Sequence, residues 1–473
     1  MSKGLTPFLL GHGLTEQLGR RSQDLPQYDL VQDTRVMAVL LDGGEHLHEE
    51  ERFAAMAVAE RLGLDPHQKL GTMLPTVATR LLPRIRQRGL TATYELERRC
   101  VVPTAAMMRA GLPIDTVGWK HLVERRTQAN TEATQRIQKE VGCTEERRIA
   151  RYVSKLGASD TSRAALMPLR GNVVVDSLLL MRSNQAFLSD LGPKVLEASS
   201  LDPAGRVHGH LDPLGTATGR YTCRGPNLLG LEKAVEVRDL VVAREGHRLI
   251  AADYSAADLR VLAKLASEHE LVTLFANSGD PHRMTASVLF GVPESEVTAS
   301  QRTAAKAVNF AVVFGAEASG VSEYARSNYG ISMTRYDAMK FISRFKDHYI
   351  QIGNWQLLLL DSDSSESRSL GGRLRSGPMT NGARLNSPVQ MSTSDALKMA
   401  IVALYPMLSS LGAEILLPVH DELLVEVPLE LVDDIADLIE EEMENAMSSL
   451  LDNKVAVKVD VGVGRSWGDT GRT

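Results

Sequence analysis

Two apolar segments that lie far apart in the chain each end in an acidic residue, and this pairing limits the folds that the chain can adopt. HRLIAADYS (247–255) predicts a buried strand that ends in a polar cluster at Asp253. ILLPVHDELLVEVP (415–428) predicts two short strands joined at the His-Asp-Glu triplet 420–422. Because a sheet can bring strand ends together from distant positions, we expect Asp253 and Asp421 to share one site.

Two carboxylates at neighbouring strand ends are suited to magnesium. Mg²⁺ prefers hard oxygen ligands, commonly one or two carboxylates with substrate phosphates completing the octahedron. Two such ions, roughly 3.5–4 Å apart, would activate a hydroxyl nucleophile and stabilise a departing pyrophosphate in an in-line displacement. A single strand-end aspartate is also a common turn residue, so either motif alone leaves a purely structural role open.

The segment QRTAAKAVNFAVVFG (301–315) carries Arg302, Lys306, Phe310 and Phe314 at every fourth residue. On a helix these side chains form one slowly winding stripe, whereas a strand would spread them over about 40 Å. We therefore predict a helix, although the β-branched and aromatic residues also suit a strand. Two cations followed by two rings suit a nucleoside triphosphate, and a buried helix with a charged start is the structural alternative.

Composition excludes several classes of protein. The 473 residues are too many for one ordinary domain, and 43% hydrophobic with 24% charged residues is typical of a soluble globular protein. No apolar run approaches the roughly 20 residues that span a bilayer, and the start lacks a signal-peptide core. The three cysteines have no spacing typical of zinc or disulfides, which favours a cytoplasmic location.

The net charge of −6 conceals an uneven distribution. Residues 421–473 contain 14 acidic and 4 basic residues, so the rest of the chain has an excess of positive charge. Residues 91–200 contain 16 basic and 12 acidic residues. Binding to nucleic acid needs a local basic surface rather than a basic total, so the charge permits a nucleic-acid partner, although a solvated mixed-charge face would look the same.

Several other segments have a recognisable period or composition. They predict a short strand or helix at 36–41, a helix at 53–64, and a helix at 124–141 that projects into solvent or toward a charged partner. They also predict an irregular segment at 218–230, mainly helices over 266–387, and a flexible solvated loop at 361–369. Towards the C-terminus they predict an amphipathic helix at 429–450, with Leu431, Ile435, Leu438 and Met443 on one face, and a last strand at 455–464.

Together these motifs resemble the family A DNA polymerases of the bacterial DNA polymerase I type, from about Tyr94 to Trp467. DYSAADLRVLA (253–263) and VHDELLVEV (419–427) resemble the two catalytic motifs of the family, and 302–315 resembles its nucleotide-binding fingers helix. Further segments resemble family motifs in the same order: YELERRCVVPTAAMMRAGLPID (94–115), TGRYTCRGPNL (218–228), PHRMTASVLFGVP (281–293), NSPVQ (386–390) and VGVGRSWG (461–468).

The resemblance implies a multidomain α+β fold shaped as a right hand, and a template-directed DNA polymerase that adds deoxynucleotides to a primer. The implied parts are an exonuclease-like remnant (1–90), a thumb (91–200), helical fingers (266–387), and a palm built from 201–265 and 388–473. We expect a monomer that binds primer–template DNA and dNTPs, with Mg²⁺ as two ions, in DNA replication or gap-filling repair. Compactness and divergence indicate a phage-like member, which would act in the host cytoplasm; the resemblance does not specify a processivity factor or a separate exonuclease subunit.

Roles for individual residues also follow from the resemblance alone. Asp253 and Asp421 would bind both metal ions with the Tyr254 carbonyl, and Glu422 would be an accessory carboxylate. The triphosphate and sugar would contact Arg302, Lys306, His282, Phe310, Phe314 and Asp258, with Lys306 also able to protonate pyrophosphate. Arg220, Asn386, Gln390 and His420 would contact the minor groove and the primer end without reading sequence.

This sequence departs from the family pattern at the sugar-selecting residues. The usual motif has Gln-Ile-Glu after the serine, but this chain has Ala-Ala-Asp at 256–258, and Phe314 replaces the tyrosine that steadies that glutamate. Because Asp258 is one methylene shorter, we expect weaker rejection of ribonucleotides. Phenylalanine rather than tyrosine at Phe310 predicts poor use of dideoxynucleotides.

The N-terminal region departs from the family as well. DTRVMAVLLDGG (33–44) and AERLGL (59–64) are faintly similar to the late part of the family's 3′–5′ exonuclease domain. The early Asp-x-Glu is missing, and GTMLPTVATRLL (71–82) has neither Tyr nor Asp where the last exonuclease motif would lie. We predict no proofreading in this chain, since a nuclease without these carboxylates cannot bind its ions.

Two other functions have related sequence features. A single-subunit RNA polymerase would share the fold and both aspartates, but the His-Asp-Glu triplet and the segment 218–228 favour a DNA polymerase. A non-catalytic DNA-binding scaffold would be free to lose Asp253, Asp421, Arg302 or Lys306, and this chain retains all four.

Overall fold

The N-terminal region combines a short parallel sheet with helices. The structure, a computed structural model, describes residues 9–20, 25–26, 31–66 and 68–471. The elements of this region are β1 (Leu9–Gly11), α1 (Leu14–Gly19), β2 (Val31–Asp33), α2 (Thr34–Asp42), α3 (Ala55–Arg61) and α4 (Leu70–Gln87). Strands β1 and β2 pair in parallel. Residues 36–41, which permitted either a strand or a helix, lie in α2, and the helix predicted at 53–64 is present as α3.

A bundle of helices follows. It consists of α5 (Thr91–Ala110), α6 (Thr116–Val141), α7 (Glu146–Lys155), α8 (Arg163–Leu166), α9 (Val173–Ala186) and α10 (Gly192–Ser199), with strand β3 (Leu112–Pro113) between α5 and α6. Helix α6 contains the predicted segment 124–141, and most of its side chains there are exposed to solvent. Near its C-terminal end, α6 contributes Ile137 to a separate apolar cluster with Ile149, Val153 and Val174.

A four-stranded antiparallel sheet forms the centre of the molecule. Its strands are β7 (His247–Tyr254), β10 (Glu414–Val419), β11 (Glu422–Pro428) and β12 (Val459–Gly464). Before β7 the chain forms the short elements β4 (Arg206–Val207), β5 (His210–Asp212), β6 (Thr222–Arg224) and α11 (Val235–Arg238). Two further short strands, β8 (Ser367–Arg368) and β9 (Leu374–Arg375), lie between β7 and β10 in the chain. The order across the sheet is β10-β11-β7-β12. Residues 249–252 of the central strand β7 have no exposed surface, because the strand is covered on both faces. This explains its continuous apolar run.

Helices between β7 and β10 form the large insertion that the sequence predicts. They are α12 (Ala257–Ala266), α13 (His269–Ala276), α14 (Pro281–Phe290), α15 (Ala299–Val313), α16 (Ala318–Tyr329), α17 (Arg335–His348), α18 (Ile350–Asp361) and α19 (Asn381–Ser410), with α20 (Val432–Leu450) after β11. Helix α20 buries Ile435, Ile439, Met443 and Met447 at helical spacing. The predicted amphipathic cover is therefore present, although Leu431 and Leu438 are only partly buried.

A buried ionic cluster joins α5 to α19. Glu97 binds both Arg373 and Lys398, and Arg373 Nε donates to Asp395 at 2.8 Å. All four residues are at most 2% exposed. The residue before Asp395 in α19, Ser394, donates its hydroxyl to the Gly219 carbonyl at 2.6 Å, and this hydrogen bond fixes the segment that precedes Arg220.

One expectation drawn from the sequence is contradicted, and one implied domain boundary falls inside a helix. The loop 361–369 is not solvated throughout: β8 pairs with β9, and Ser369 is buried with its hydroxyl on Asp395. Solvation was wrong for Ser369 because its partner lies 26 residues further along the chain. Helix α19 also runs without a break across the predicted domain boundary at 387/388. Among the described residues, no helix is long and apolar enough to cross a membrane.

Candidate active site

A cleft of about 910 Å³ opens between the edge of the central sheet and the helices α14 and α15. It collects residues from distant parts of the chain, and ten of the predicted site residues line it: Arg220, Asp253, Tyr254, Asp258, His282, Arg302, Lys306, Phe310, His420 and Asp421. The structure therefore brings Asp253 and Asp421 together in one cleft.

The sheet register brings the two aspartates together. Strands β10 and β11 are joined by a two-residue turn, His420-Asp421, since Val419 pairs with Glu422. His420 has a left-handed backbone (φ 60°), which histidine tolerates better than most residues. Asp253 pairs with Glu422 across β7 and β11, and the Tyr254 amide donates to the Asp421 carbonyl at 3.3 Å.

The electrostatics of this turn fit a bound cation. Burial, followed by repulsion from Asp253 and Asp258, raises the pKa of Asp421 to about 8. Burial also raises the pKa of Asp258. Carboxylates that oppose one another's ionisation form a site where a divalent cation would relieve the repulsion. No cluster of three or more His, Cys, Asp or Glu side chains suited to a metal occurs within the described part of the chain, so the two aspartates would need further ligands from backbone, water or substrate.

Helix α15 forms the opposite wall of the cleft. Thr298 and Gln301 form a capping box at its start, and Ala304, Ala305, Ala307 and Val308 pack inward, so the helix prediction for 301–315 is confirmed. Arg302, Lys306 and Phe310 line the cleft on successive turns.

The aromatic stripe of α15 does not continue to Phe314. This residue is the C-cap of the helix, and it packs against the main hydrophobic core instead of lining the cleft. The reason is that a spacing of four residues drifts around a helix with 3.6 residues per turn.

The cations on α15 have defined surroundings. Arg302 Nε pairs with Asp280 Oδ2 at 2.5 Å, and Asp280 also caps α14 by accepting from the His282 and Arg283 amides. Burial, with repulsion from Arg302 and Lys233, lowers the pKa of Lys306. The His282 ring centroid lies 6.0 Å from that of Phe310.

Besides Phe314, three predicted residues lie outside the cleft. The buried Glu422 carboxylate accepts from Trp467 Nε1 at 2.9 Å and faces Arg238 at 3.4 Å, and neither of these partners lines the cleft. Asn386 and Gln390 lie on the same face of α19 as Thr393, which follows them by two turns and by one turn of the helix. Both are partly exposed.

Several residues that complete the site have little or no local signal in the sequence. Lys233 lines the cleft from an irregular segment, Asp280 holds Arg302, and Thr393 donates to Asp258 at 2.8 Å. The motif PHRMTASVLFGVP begins one residue after Asp280, so a search for an N-cap before Pro281 could have found it. Nothing in the local sequence marks Lys233 or Thr393.

A second, smaller cleft lies at the carboxyl ends of β1 and β2 and includes His12, Asp33 and Asp212. Asp33 accepts from the amides of Gly13, Leu14 and Arg35, at 3.0, 2.6 and 2.7 Å. Asp212 is paired with Arg35 at 2.7 Å. Asp33 thus links segments within the N-terminal region, and Asp212 links that region to β5.

Comparison with known proteins is consistent with the resemblance drawn from the motifs. Residues 127–469 match the family model described as DNA polymerase family A. The thermostable DNA polymerase I of Thermus filiformis is 34% identical over 330 residues, covering 66% of this chain and 38% of that protein. DNA polymerase I of Deinococcus radiodurans is 34% identical over 340 residues, covering 66% of this chain and 34% of that protein. The chain thus spans well under half the length of these relatives.

A solved structure shares the fold. The POL domain of Pol1 from M. smegmatis, in complex with DNA primer-template and dNTP, matches with a TM-score of 0.80. The match covers 93% of this chain and 82% of that chain at 23% identity. The predicted α+β fold is confirmed by this likeness.

Proposed function

This chain belongs to DNA polymerase family A, and we propose that it extends the 3′ end of a DNA primer with deoxynucleotides selected by a template strand. The observation that carries the proposal is the shared cleft, in which Asp253 and Asp421 face Arg302, Lys306 and Phe310. Acidic groups on one wall and cations on the other suit the transfer of a phosphoryl group from a triphosphate.

Asp253, Asp421 and the Tyr254 carbonyl would hold divalent cations, with Mg²⁺ the expected metal. The raised pKa of Asp421, caused by burial and by Asp253, supports this assignment, because a cation would offset the burial and repulsion that oppose ionisation. Such ions, when bound, acidify a primer hydroxyl and neutralise charge on the phosphates. Asp253 and Asp421 themselves orient the primer end at the edge of the sheet.

The residues of α15 and the start of α14 bind and orient the triphosphate in this proposal. Arg302 and Lys306 neutralise phosphate oxygens, and the phenyl ring of Phe310 packs against the sugar and base. Lys306 is suited to give a proton to the departing pyrophosphate, because burial and nearby Arg302 lower its pKa.

The remaining predicted residues would contact DNA. Arg220 and His420 line the cleft next to the aspartates, where a primer terminus would lie. Asn386 and Gln390, which are partly exposed on α19, would contribute further contacts to the DNA. We propose that the protein acts as a monomer in replication or gap-filling repair.

The test is extension of a 5′-labelled primer on a template with four dNTPs and Mg²⁺. We expect extension by the unaltered protein and a loss of at least about 10³-fold in Asp253→Asn and Asp421→Asn, because each removes a ligand charge that the transition state requires. Asp437→Asn, at an exposed position of α20, is the matched control and should retain activity. DNA binding without extension would favour a scaffold, and faster extension with rNTPs would favour an RNA polymerase; either result would overturn the proposal.

A further inference from the structure

Asn309 is a buried polar residue of α15 that contacts His282 at the start of α14. Its side chain is 1% exposed, and its Nδ2 lies 2.9 Å from His282 Nδ1. The same Nδ2 lies 3.5 Å from the Pro281 carbonyl oxygen. If the amide were turned over, its oxygen would face that carbonyl oxygen, so the geometry favours the amino group on this side.

This orientation determines the state of the imidazole. An amide nitrogen can only donate, so His282 Nδ1 must accept and cannot carry a proton. The proton of a neutral ring is then on Nε2. His282 lines the cleft beside Arg302 and Lys306, so its Nε2–H belongs to the wall that faces a triphosphate.

Burial and the neighbouring cations favour a neutral His282 ring. Burial, followed by Lys306, lowers its pKa to about 4, while Asp280 acts in the opposite direction and Arg302 adds to the lowering. These groups come from the N-cap of α14 and from α15, the two elements that frame the ring. A third cation in this position would repel Arg302 and Lys306, whereas a neutral N–H can donate without adding charge.

The other end of the Asn309 amide indicates why this position is polar. Its Oδ1 is buried and has no hydrogen-bond partner among the described residues. An unsatisfied buried acceptor is unfavourable, and an apolar side chain would avoid it. The hydrogen bond from Nδ2 to His282 is therefore the evident reason for an amide here.

We propose that Asn309 is a positioning residue that holds His282 in the Nε2–H tautomer, so that His282 gives the triphosphate one neutral hydrogen-bond donor. The inference rests on the proposed polymerase function for its substrate, but the tautomer itself can be measured without any activity. The proposal assigns the donor, His282, to α14 and the residue that orients it, Asn309, to α15.

The first experiment is nitrogen-15 NMR of the imidazoles in the full chain, with His282→Gln to assign the signal. We expect His282 to be the neutral Nε2–H tautomer from pH 5.5 to 8. In Asn309→Asp, whose carboxylate accepts rather than donates, we expect the Nδ1–H tautomer or a protonated ring. A wild-type His282 that is protonated at pH 7, or carries its proton on Nδ1, would overturn the proposal whether or not the protein extends primers.

The second experiment measures KM and kcat for dATP on a primed template between pH 5.5 and 8. Asn309→Asp should raise KM about 10-fold at pH 8, where a neutral Nδ1–H ring no longer donates from Nε2 to a charged phosphate. The rise should be smaller toward pH 5.5, where a protonated ring regains that donor, and the effect on kcat should be smaller than that on KM. Asn354→Asp, at an exposed position of α18, is the matched control. In the His282→Gln background, the change at Asn309 should have little further effect.

A merely structural role would give a different pattern. Asn309→Asp and the smaller Asn309→Ser would then raise KM equally with and without His282, and the imidazole signal of a folded variant would be unchanged. If one of the two variants fails to fold, the other still allows the comparison of KM with and without His282. Both variants remove the amide donor, and neither introduces a larger side chain. If the His282 tautomer changes as expected in Asn309→Asp but the protein does not extend primers, only the polymerase proposal is contradicted.

Discussion

The Thr393 hydroxyl donates a 2.8 Å hydrogen bond to the Asp258 carboxylate. Thr393 lies on α19, and Asp258 lies in the first turn of α12, in the same cleft as Asp253 and Asp421. The family resemblance assigns the sugar-selecting role to position 258 and a supporting role to position 314. In this structure the hydroxyl that contacts Asp258 belongs to Thr393, whereas Phe314 has no hydroxyl and packs against the main hydrophobic core.

We predict that Asp258→Glu strengthens the rejection of ribonucleotides. The added methylene would extend the carboxylate toward the sugar, and one methylene typically changes discrimination by ~1–3 kcal/mol, or roughly tenfold or more. The measurement is single-nucleotide insertion of dNTP and rNTP by both proteins. An unchanged ratio of the two efficiencies would sink the prediction.

Thr393→Val provides the complementary variant. It keeps the shape of the side chain but removes the hydroxyl, so Asp258 no longer has the donor that orients it. We expect the dNTP-to-rNTP ratio to fall by about 2–10-fold, which corresponds to one neutral or charge-assisted hydrogen bond. A ratio equal to that of the wild type would show that Thr393 does not act on sugar selection.

We predict that Asp280→Asn lowers KM for dNTP. The triphosphate must compete with Asp280 for Arg302, and asparagine still caps α14 while it lacks the charge. Because the pair is partly exposed, the expected change is only about 2–5-fold, and it should shrink at high salt. Glu294→Gln, an exposed acid beyond the end of α14, is the control. A rise in KM would mean that Asp280 orients Arg302 productively.

Phe310→Tyr should increase the use of dideoxynucleotides. The ring lines the cleft where the sugar is expected, and a phenol hydroxyl can supply a polar group where a dideoxynucleotide lacks its 3′-hydroxyl. We expect the ddNTP-to-dNTP insertion ratio to rise by at least about fivefold, the value of one hydrogen bond. Chain-termination assays measure this ratio directly, and no increase would argue against the placement of the sugar at Phe310.

We expect no proofreading by this chain. A 5′-labelled primer with a 3′ mismatch, incubated with Mg²⁺ and without dNTPs, should keep its length. Two carboxylates of the smaller cleft beside the parallel strands, Asp33 and Asp212, are bound to backbone amides and to Arg35. Degradation of the primer that persists in Asp421→Ala would contradict this prediction, because such degradation would need a nuclease site separate from the polymerase site.

The buried ionic cluster should contribute strongly to stability. Glu97→Gln removes one of two anions that face Arg373 and Lys398, leaving a buried positive charge uncompensated. Breaking such a pair typically costs about 3–5 kcal/mol, which urea unfolding can measure. Glu95→Gln on the same helix, where the acid is exposed and paired with Arg98, should cost less than about 1 kcal/mol. Similar destabilisation in both variants would refute the special role of the cluster.

Much of the architecture around the site could be predicted from local patterns. The apolar run before Asp253 predicted β7, and the interruption at His420-Asp421 predicted the turn between β10 and β11. The every-fourth-residue spacing of Arg302, Lys306 and Phe310 predicted one face of α15. These features were accessible because strand alternation and helical periodicity depend only on neighbours in the sequence.

The sequence by itself therefore determined the elements, the family and the pair of aspartates, whereas the partners of individual side chains were decided by tertiary structure. Glu422 is held by Trp467 and Arg238, and the hydrogen bonds of Asn309 with His282 and of Thr393 with Asp258 had no sequence signal. Each of these interactions joins residues at least 27 positions apart. Such partners depend on how helices and strands pack in three dimensions, and this packing cannot be read from the local periodicity of the sequence.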